Sequence, residues 1–222
     1  MSAVDLPRLR VGLLMFDDME LLDFAGPYEV FTTAQRMTAR PDVVPAPAWG
    51  FEVVSLAAGD GPVQARAGVR LLPDARLAQA DALDLLIVPG GVVDQVRADR
   101  QVRSALQRLA PDLRGLASVC TGAFVLADAG LIGAGARCTT HWEDVADLRR
   151  DHPALDVIAG PRWVAASTPQ GTPQGTPLWT SAGIAAGIDL ALHLVAHFAG
   201  PALAHRTARQ MDVPWTEDAE GP

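Results

Sequence analysis

The stretch Ala117-Ser118-Val119-Cys120-Thr121-Gly122-Ala123-Phe124-Val125-Leu126 decides the fold. Leu113, Leu116 and Val119 lead into it as a buried strand, which stops at Cys120. Small residues follow, and then Phe124, Val125, Ala127, Asp128 and Leu131 recur at helical spacing. A strand that turns sharply into a helix at a cysteine needs small residues two positions to either side. Here they are Ser118 and Gly122. This is the geometry of a nucleophile elbow, with a thiol in place of the hydroxyl. The helix behind such a turn aims free N–H groups at the sulfur, which predicts a thiolate. The plainer alternative is a small buried hydrophobe, the usual state of a free cysteine.

Outward from the elbow, the chain alternates strand and helix signals. Val11–Phe16 is a continuous apolar run bounded by charge, as in a parallel strand covered on both faces. Pro27 suits the first turn of a helix running to about Met37, and residues 38–49 read as a loop. Phe51–Leu56 and Leu83–Val88 are further strands, the latter ending at Pro89-Gly90-Gly91. Between them, Val63–Leu72 reads as two short extended pieces around Gly68, and Leu77–Ala82 as a short helix. Val102, Leu106 and Leu109 mark an amphipathic helix before the elbow.

After the elbow, Arg137–Thr140 reads as a short strand, Trp142–Arg150 as helix, and Val157–Ile158 and Arg162–Ala166 as strands. Thr168-Pro169-Gln170-Gly171 is repeated at once in Thr172–Gly175, which predicts a lengthened, solvated hairpin tip before the strand Leu178–Ser181. Ile184, Ile188, Leu192 and Val195 then give one apolar stripe, so Gly183–Ala199 is a core-facing helix. The whole predicts an α/β fold, a doubly wound, mainly parallel sheet flanked by helices. It predicts one domain over 1–222, with a core at about 10–211 and a short acidic tail at 212–222. Ligands sit outside the carboxyl ends of such strands, where Phe16, Pro89–Gly91 and Cys120 all fall.

Cys120 is therefore the candidate nucleophile. Gly90, Gly91 and Gly122 are candidates for the substrate-facing backbone, with an N–H at Gly90 or Gly91 contributing to an oxyanion hole; an ordinary tight turn is the alternative. Thr121 directs its N–H into the same pocket and its hydroxyl toward substrate. Asp23 is the best-placed carboxylate, in an apolar stretch where desolvation raises a pKa; helix-entry capping is the alternative. His141 is a candidate base, though a structural histidine reads as well there. His193 and His197 stand four apart on a helix, but with Leu194 after His193 they read as structural rather than metal-binding. Cys138 reads as inert core.

A chain of 222 residues, 49% hydrophobic and 20% charged, can bury a full core. A net charge of -8 with no basic patch argues against nucleic acid. Two cysteines make no disulfide framework, which points to a reducing cytosol. No run approaches the ~18 apolar residues of a membrane span, and Val11–Phe16 is too short for a signal-peptide core.

Val11–Phe16, Leu22–Pro27, Ile87–Gly91, Ser118–Ala123, Thr139–Trp142 and Ser181–Asp189 together resemble the DJ-1/PfpI superfamily, in order along nearly the whole chain. Within it the pattern is most similar to isocyanide hydratases and to the ligand-binding halves of AraC-type regulators. The former resemblance implies hydration of R–N≡C to an N-substituted formamide, with Cys120 attacking as thiolate and Asp23 handling protons. It implies a small-molecule substrate, a homodimer, and no metal or organic cofactor. Family peptidases carry His after the cysteine, where this chain has Thr121; Asp23 stands where many DJ-1-like members have Glu. A glyoxalase-like enzyme acting on 2-oxoaldehydes and a ligand- or redox-sensing protein are the alternatives. A regulator of the AraC type needs a DNA-binding module of roughly 100 residues, whereas only Pro201–Pro222 follows the last helix read from the pattern.

Overall fold

The computed structural model describes residues 6–166 and 171–216. Its elements in chain order are β1 (Arg8–Met15), α1 (Leu21–Met37), β2 (Gly50–Ala57), β3 (Val63–Gln64), β4 (Arg70–Leu71), β5 (Ala75–Arg76), β6 (Leu85–Val88), α2 (Asp94–Ala98) and α3 (Arg100–Leu109). They continue with β7 (Gly115–Val119), α4 (Gly122–Asp128), β8 (Arg137–Cys138), α5 (Val145–Asp151), β9 (Asp156–Val157), β10 (Trp163–Ala166), β11 (Leu178–Ser181), α6 (Ala186–Ala199) and α7 (Pro201–Met211).

Seven strands form the main sheet in the order β10-β11-β7-β6-β1-β2-β5. Every neighbouring pair is parallel except β10–β11, whose antiparallel register runs from Trp163↔Ser181 to Ala166↔Leu178. The apolar runs explain the centre: β6 and β7 are buried at every residue. Strand order reverses at β1, which pairs with β2 on one side and β6 on the other. In a doubly wound sheet that reversal opens a crevice at the carboxyl ends. Helices α1, α6 and α7 pack on one another. Among the described residues no helix is long and apolar enough to cross a membrane.

Several boundaries differ from expectation. α1 begins at Leu21, six residues before Pro27, so Asp23 lies in its first turn. An internal proline forfeits one helical hydrogen bond. Pro27 is held where α1 meets α6 closely: a Cβ on Gly187 would lie 3.5 Å from its ring. The helix expected over Leu77–Ala82 is a single 3₁₀ turn, Leu77–Gln79. Trp142–Asp144 is likewise 3₁₀, with α5 following. α2 and α7 were not signalled by the apolar pattern. α7 buries mainly small residues, Ala204, Thr207 and Ala208 beside Leu203.

The hairpin tip is only partly solvated. Residues 168–170 of the first repeat lie outside the described residues, as do 217–222 of the acidic tail. In the second repeat Thr172 is fully buried, and its Oγ1 accepts the Thr176 N–H at 2.8 Å. Thr176 Oγ1 in turn donates to the Ala110 carbonyl at 2.8 Å.

Candidate active site

β7 delivers Cys120 at its carboxyl end with φ +56, the left-handed region that costs a non-glycine residue about 1–2 kcal/mol. Surrounding bonds hold the turn. The Cys120 N–H donates to the Ser181 carbonyl at 3.1 Å, and Thr140 Oγ1 donates to the Cys120 carbonyl at 2.9 Å. Gly122 is small of necessity, because a Cβ there would lie 2.3 Å from the Val88 carbonyl oxygen. The elbow expected from the sequence is therefore present.

α1 brings Asp23 to the sulfur. Its side chain is fully buried, and Oδ2 accepts the Gly90 N–H at 3.0 Å. Oδ1 is buried without a hydrogen-bond partner. Burial pushes the carboxyl up to about 6, against the pull of the Gly90 N–H and of the neighbouring Cys120 thiol. Cys120 answers to the same surroundings. Burial first, and the Asp23 charge second, push its thiol up to about 12. The Thr121 N–H facing the sulfur opposes this without reversing it. Burial therefore acts against the thiolate that the helix end favours. α4 has only seven residues, and desolvation outweighs its end.

The two glycines are also engaged otherwise than expected. The Gly90 N–H is taken by Asp23, and the Gly91 N–H is taken by Thr121 Oγ1 at 2.9 Å. Thr121 Oγ1 lies equally 2.9 Å from the Gly91 carbonyl, so its hydroxyl ties two loops together instead of facing substrate. At Gly91, φ is +138 and a Cβ would lie 2.4 Å from the Asp18 carbonyl oxygen, so only glycine fits. The Asp18–Glu20 turn clamps this loop from the other side: Glu20 N donates to the Gly90 carbonyl at 2.8 Å and Val92 N to the Asp18 carbonyl at 3.0 Å. The donors left to face the sulfur are those of the elbow itself.

His141 is brought near but not into contact with the thiol. Its ring lies against Gly183, where a Cβ would approach to 2.1 Å, and Nδ1 is 3.3 Å from Asp144. It caps a 3₁₀ turn, as a structural histidine does. His193 stacks on Trp163 at 3.9 Å between centroids, and His197 meets Trp179 edge-on. Among the described residues no group of three or more His, Cys, Asp or Glu side chains could hold a metal. Cys138 is fully buried at the end of β8, as expected of core.

Sequence reasoning missed one residue. Ile184, β-branched, adopts φ +52, a conformation such residues almost never take. Its backbone N–H helps to stabilise the Asp23 carboxylate, and its side chain is exposed beside the buried pair. The apolar pattern places it at the head of a core-facing helix, but it is exposed and precedes α6, which starts at Ala186, and Gly183 before it packs on His141. A cavity of about 300 Å³ adjoins Thr121 and Gly91, walled by Phe124 and by Asp94 and Arg97 of α2.

A doubly wound sheet with a cysteine at the strand-to-helix elbow and a buried carboxylate beside it defines a class of α/β proteins. The family model described as "DJ-1/PfpI family" matches residues 9–197, and the chain belongs to that family. It is 35% identical over 135 residues to an isonitrile hydratase of Pseudomonas putida, covering 60% of this chain and 53% of that protein. It is 34% identical over 146 residues to the HTH-type transcriptional regulator GbdR of Pseudomonas aeruginosa, covering 65% of this chain and 37% of the regulator. The chain therefore matches about half or less of the length of either relative. Its fold is that of Drosophila melanogaster DJ-1beta, with a TM-score of 0.74 over 93% of this chain and 99% of the other at 20% identity.

Proposed function

We propose that this chain hydrates an isocyanide, R–N≡C, to the formamide R–NH–CHO. The observation that carries the reading is the fully buried Asp23 carboxyl, held by the Gly90 N–H against the elbow that presents Cys120 and left with one oxygen unpartnered. A free thiolate is costly in this site, so the proton leaves as the sulfur reacts. The S–H proton passes to Asp23 while the sulfur bonds to the terminal carbon, and Asp23 returns that proton to the same carbon. The product is the thioimidate R–N=CH–S–Cys120. Water then adds across C=N, its hydroxyl to carbon and its proton to nitrogen. Collapse of R–NH–CH(OH)–S–Cys120 forms the carbonyl and releases the sulfur, which regains its proton through Asp23. A carboxyl near 6 suits both directions of transfer. The unpartnered Oδ1 of Asp23 is available to the water.

The likeness to the isonitrile hydratase supports this reading. Thr121 acts through its N–H, which faces the sulfur, and Gly90, Gly91 and Gly122 shape the backbone around it. In this reading the working form is a cytosolic homodimer, and the chemistry as drawn uses side chains, backbone and water alone. The likeness to GbdR favours a second reading, in which the same pocket binds a small ligand without turning it over.

The test is turnover of an alkyl isocyanide, beside methylglyoxal, by wild type and Cys120→Ala. Formamide made by wild type alone is the expected result. Lactate from methylglyoxal would move the activity to 2-oxoaldehydes. Silence on both substrates would leave ligand binding as the better account.

A further inference from the structure

Beyond the cysteine site, a second concavity opens at the carboxyl ends of β1 and β2. It is a cleft of about 370 Å³, within the range of small-molecule pockets. Its floor is apolar: Phe16, Ala57, Val96 and Val102 line it, all buried. Its rim is polar and accepts hydrogen bonds. Asp17 uses one carboxylate oxygen on the Gln64 N–H, and Asp99 uses one on the first turn of α3. Both side chains line the cleft and keep a second oxygen outside these bonds, and Gln95 lines it as well. Gly59 and Gly61 form the open lip, and a Cβ on either would meet nothing within 4 Å. The cleft continues past Asp17 and Pro62 into a groove of about 460 Å³.

The walls of this cleft are shared with the cysteine site. Gln95 and Val96 of α2 face the cleft, while Asp94 and Arg97 of the same helix line the cavity against Thr121. Asp17 lies at the start of the turn that clamps Gly90 and Gly91, through the Glu20 and Val92 N–H groups and the Met19↔Gly91 bridge. A molecule seated in the cleft therefore touches both elements that hold the backbone around Cys120. It does so without touching Cys120 or Asp23, neither of which lines the cleft.

We propose that this cleft is an effector site for a small apolar molecule with a hydrogen-bond-donating head, an amine or an alcohol, and that its occupancy alters the reactivity of Cys120. The apolar floor takes the body of the ligand. The carboxylates of Asp17 and Asp99 take the head and repel an anion, which would face two like charges and an overall charge of -8.

The experiment uses three matched probes: 2-phenylethylammonium, 2-phenylethanol and 3-phenylpropionate. Binding is measured by titration calorimetry on the full chain, and Cys120 reactivity by its alkylation rate with iodoacetamide. The first two probes should bind at least about tenfold more tightly than the carboxylate. Saturation should shift the alkylation rate by about fivefold or more. Ala58→Trp, placed at the exposed lip, should abolish both effects while leaving the circular dichroism unchanged. Asp17→Asn keeps the acceptor for Gln64 and should narrow the preference for the ammonium over the alcohol. Cys120→Ala should bind all three probes as wild type does, which separates the cleft from the cysteine site and from its proposed chemistry. Equal binding of the carboxylate, retention of binding in Ala58→Trp, loss of binding in Cys120→Ala, or an alkylation rate indifferent to saturating probe would each overturn the proposal.

Discussion

Cys120 and Cys138 start from the same physics and end in different chemistry. Both thiols are free and buried, and burial pushes both up to about 12. Ranked by thiol acidity they are twins. Their difference lies in what stands next to them. Cys120 sits on a left-handed turn beside the buried Asp23 carboxyl, while Cys138 closes a two-residue strand beside Val157, with Asp156 acting on it only as a charge. In the proposed mechanism, reactivity comes from a proton acceptor within reach rather than from a thiol made acidic in advance.

The sharpest way to break that contrast is to exchange the sulfurs one at a time. Cys120→Ala should abolish isocyanide turnover, whereas Cys138→Ala should keep wild-type rates and cost about 1 kcal/mol of stability through the vacated volume. Formamide assay and thermal melts read the two. Asp23→Asn should follow, with turnover falling ~10²–10⁴-fold. The same substitution should stabilise the protein. Burial raises the Asp23 pKa from 3.8 to about 6, so the wild type carries a penalty that grows as pH rises through that window and is absent below it. Asparagine keeps an acceptor for Gly90 and removes the charge. It should raise stability at pH 7.5 by up to about 3 kcal/mol, with the gain vanishing near pH 4.

A finer test is the pH profile of alkylation. If Asp23 takes the proton, the Cys120 rate should climb through about pH 6, following the carboxyl, rather than near ~8.5 where an ordinary thiol ionises. A profile centred near ~8.5 would show that Asp23 does not take the proton, and Asp23→Asn, which should remove the rise near pH 6, separates its role from that of a thiol that is itself acidic. The smallest effect lies far from both sulfurs. Burial against Trp163 lowers His193 to about 4, so stability should decline as pH falls from 6.5 toward 4. His193→Phe should flatten that acid limb in a series of melts.

What could be read from the chain follows from what each signal measures. β1 and β6 were legible because continuous apolar runs ending in charge or glycine are what a doubly covered parallel strand requires, while β2, β7 and β11 were legible as short apolar-rich segments bounded by turn residues or by the elbow. α7 was not, since its buried face is made of alanine and threonine, which carry little apolar contrast. The start of α1 was misread because proline was placed by its usual preference, and the packing that holds it, against Gly187, comes from 160 residues further along. At the site, Cys120, Asp23 and the small neighbours of the elbow were legible. The Thr121–Gly91 lock was not, as it joins residues 30 apart in sequence. The burial of the thiol was not legible, because the sequence displays the helix behind the turn and hides how little water reaches it.

The doubled Thr-Pro-Gln-Gly has a consequence for how this gene can change. The two threonines that pin the hairpin, Thr172 and Thr176, are spaced by one repeat unit, and the same Thr-Pro step recurs at 168, 172 and 176. Removing residues 168–171 leaves a sequence that still reads Thr-Pro-Gln-Gly-Thr-Pro into β11. A chain shortened by one unit therefore keeps a threonine at each of the two pinning places, so the fastening of the hairpin is written into the repeat itself.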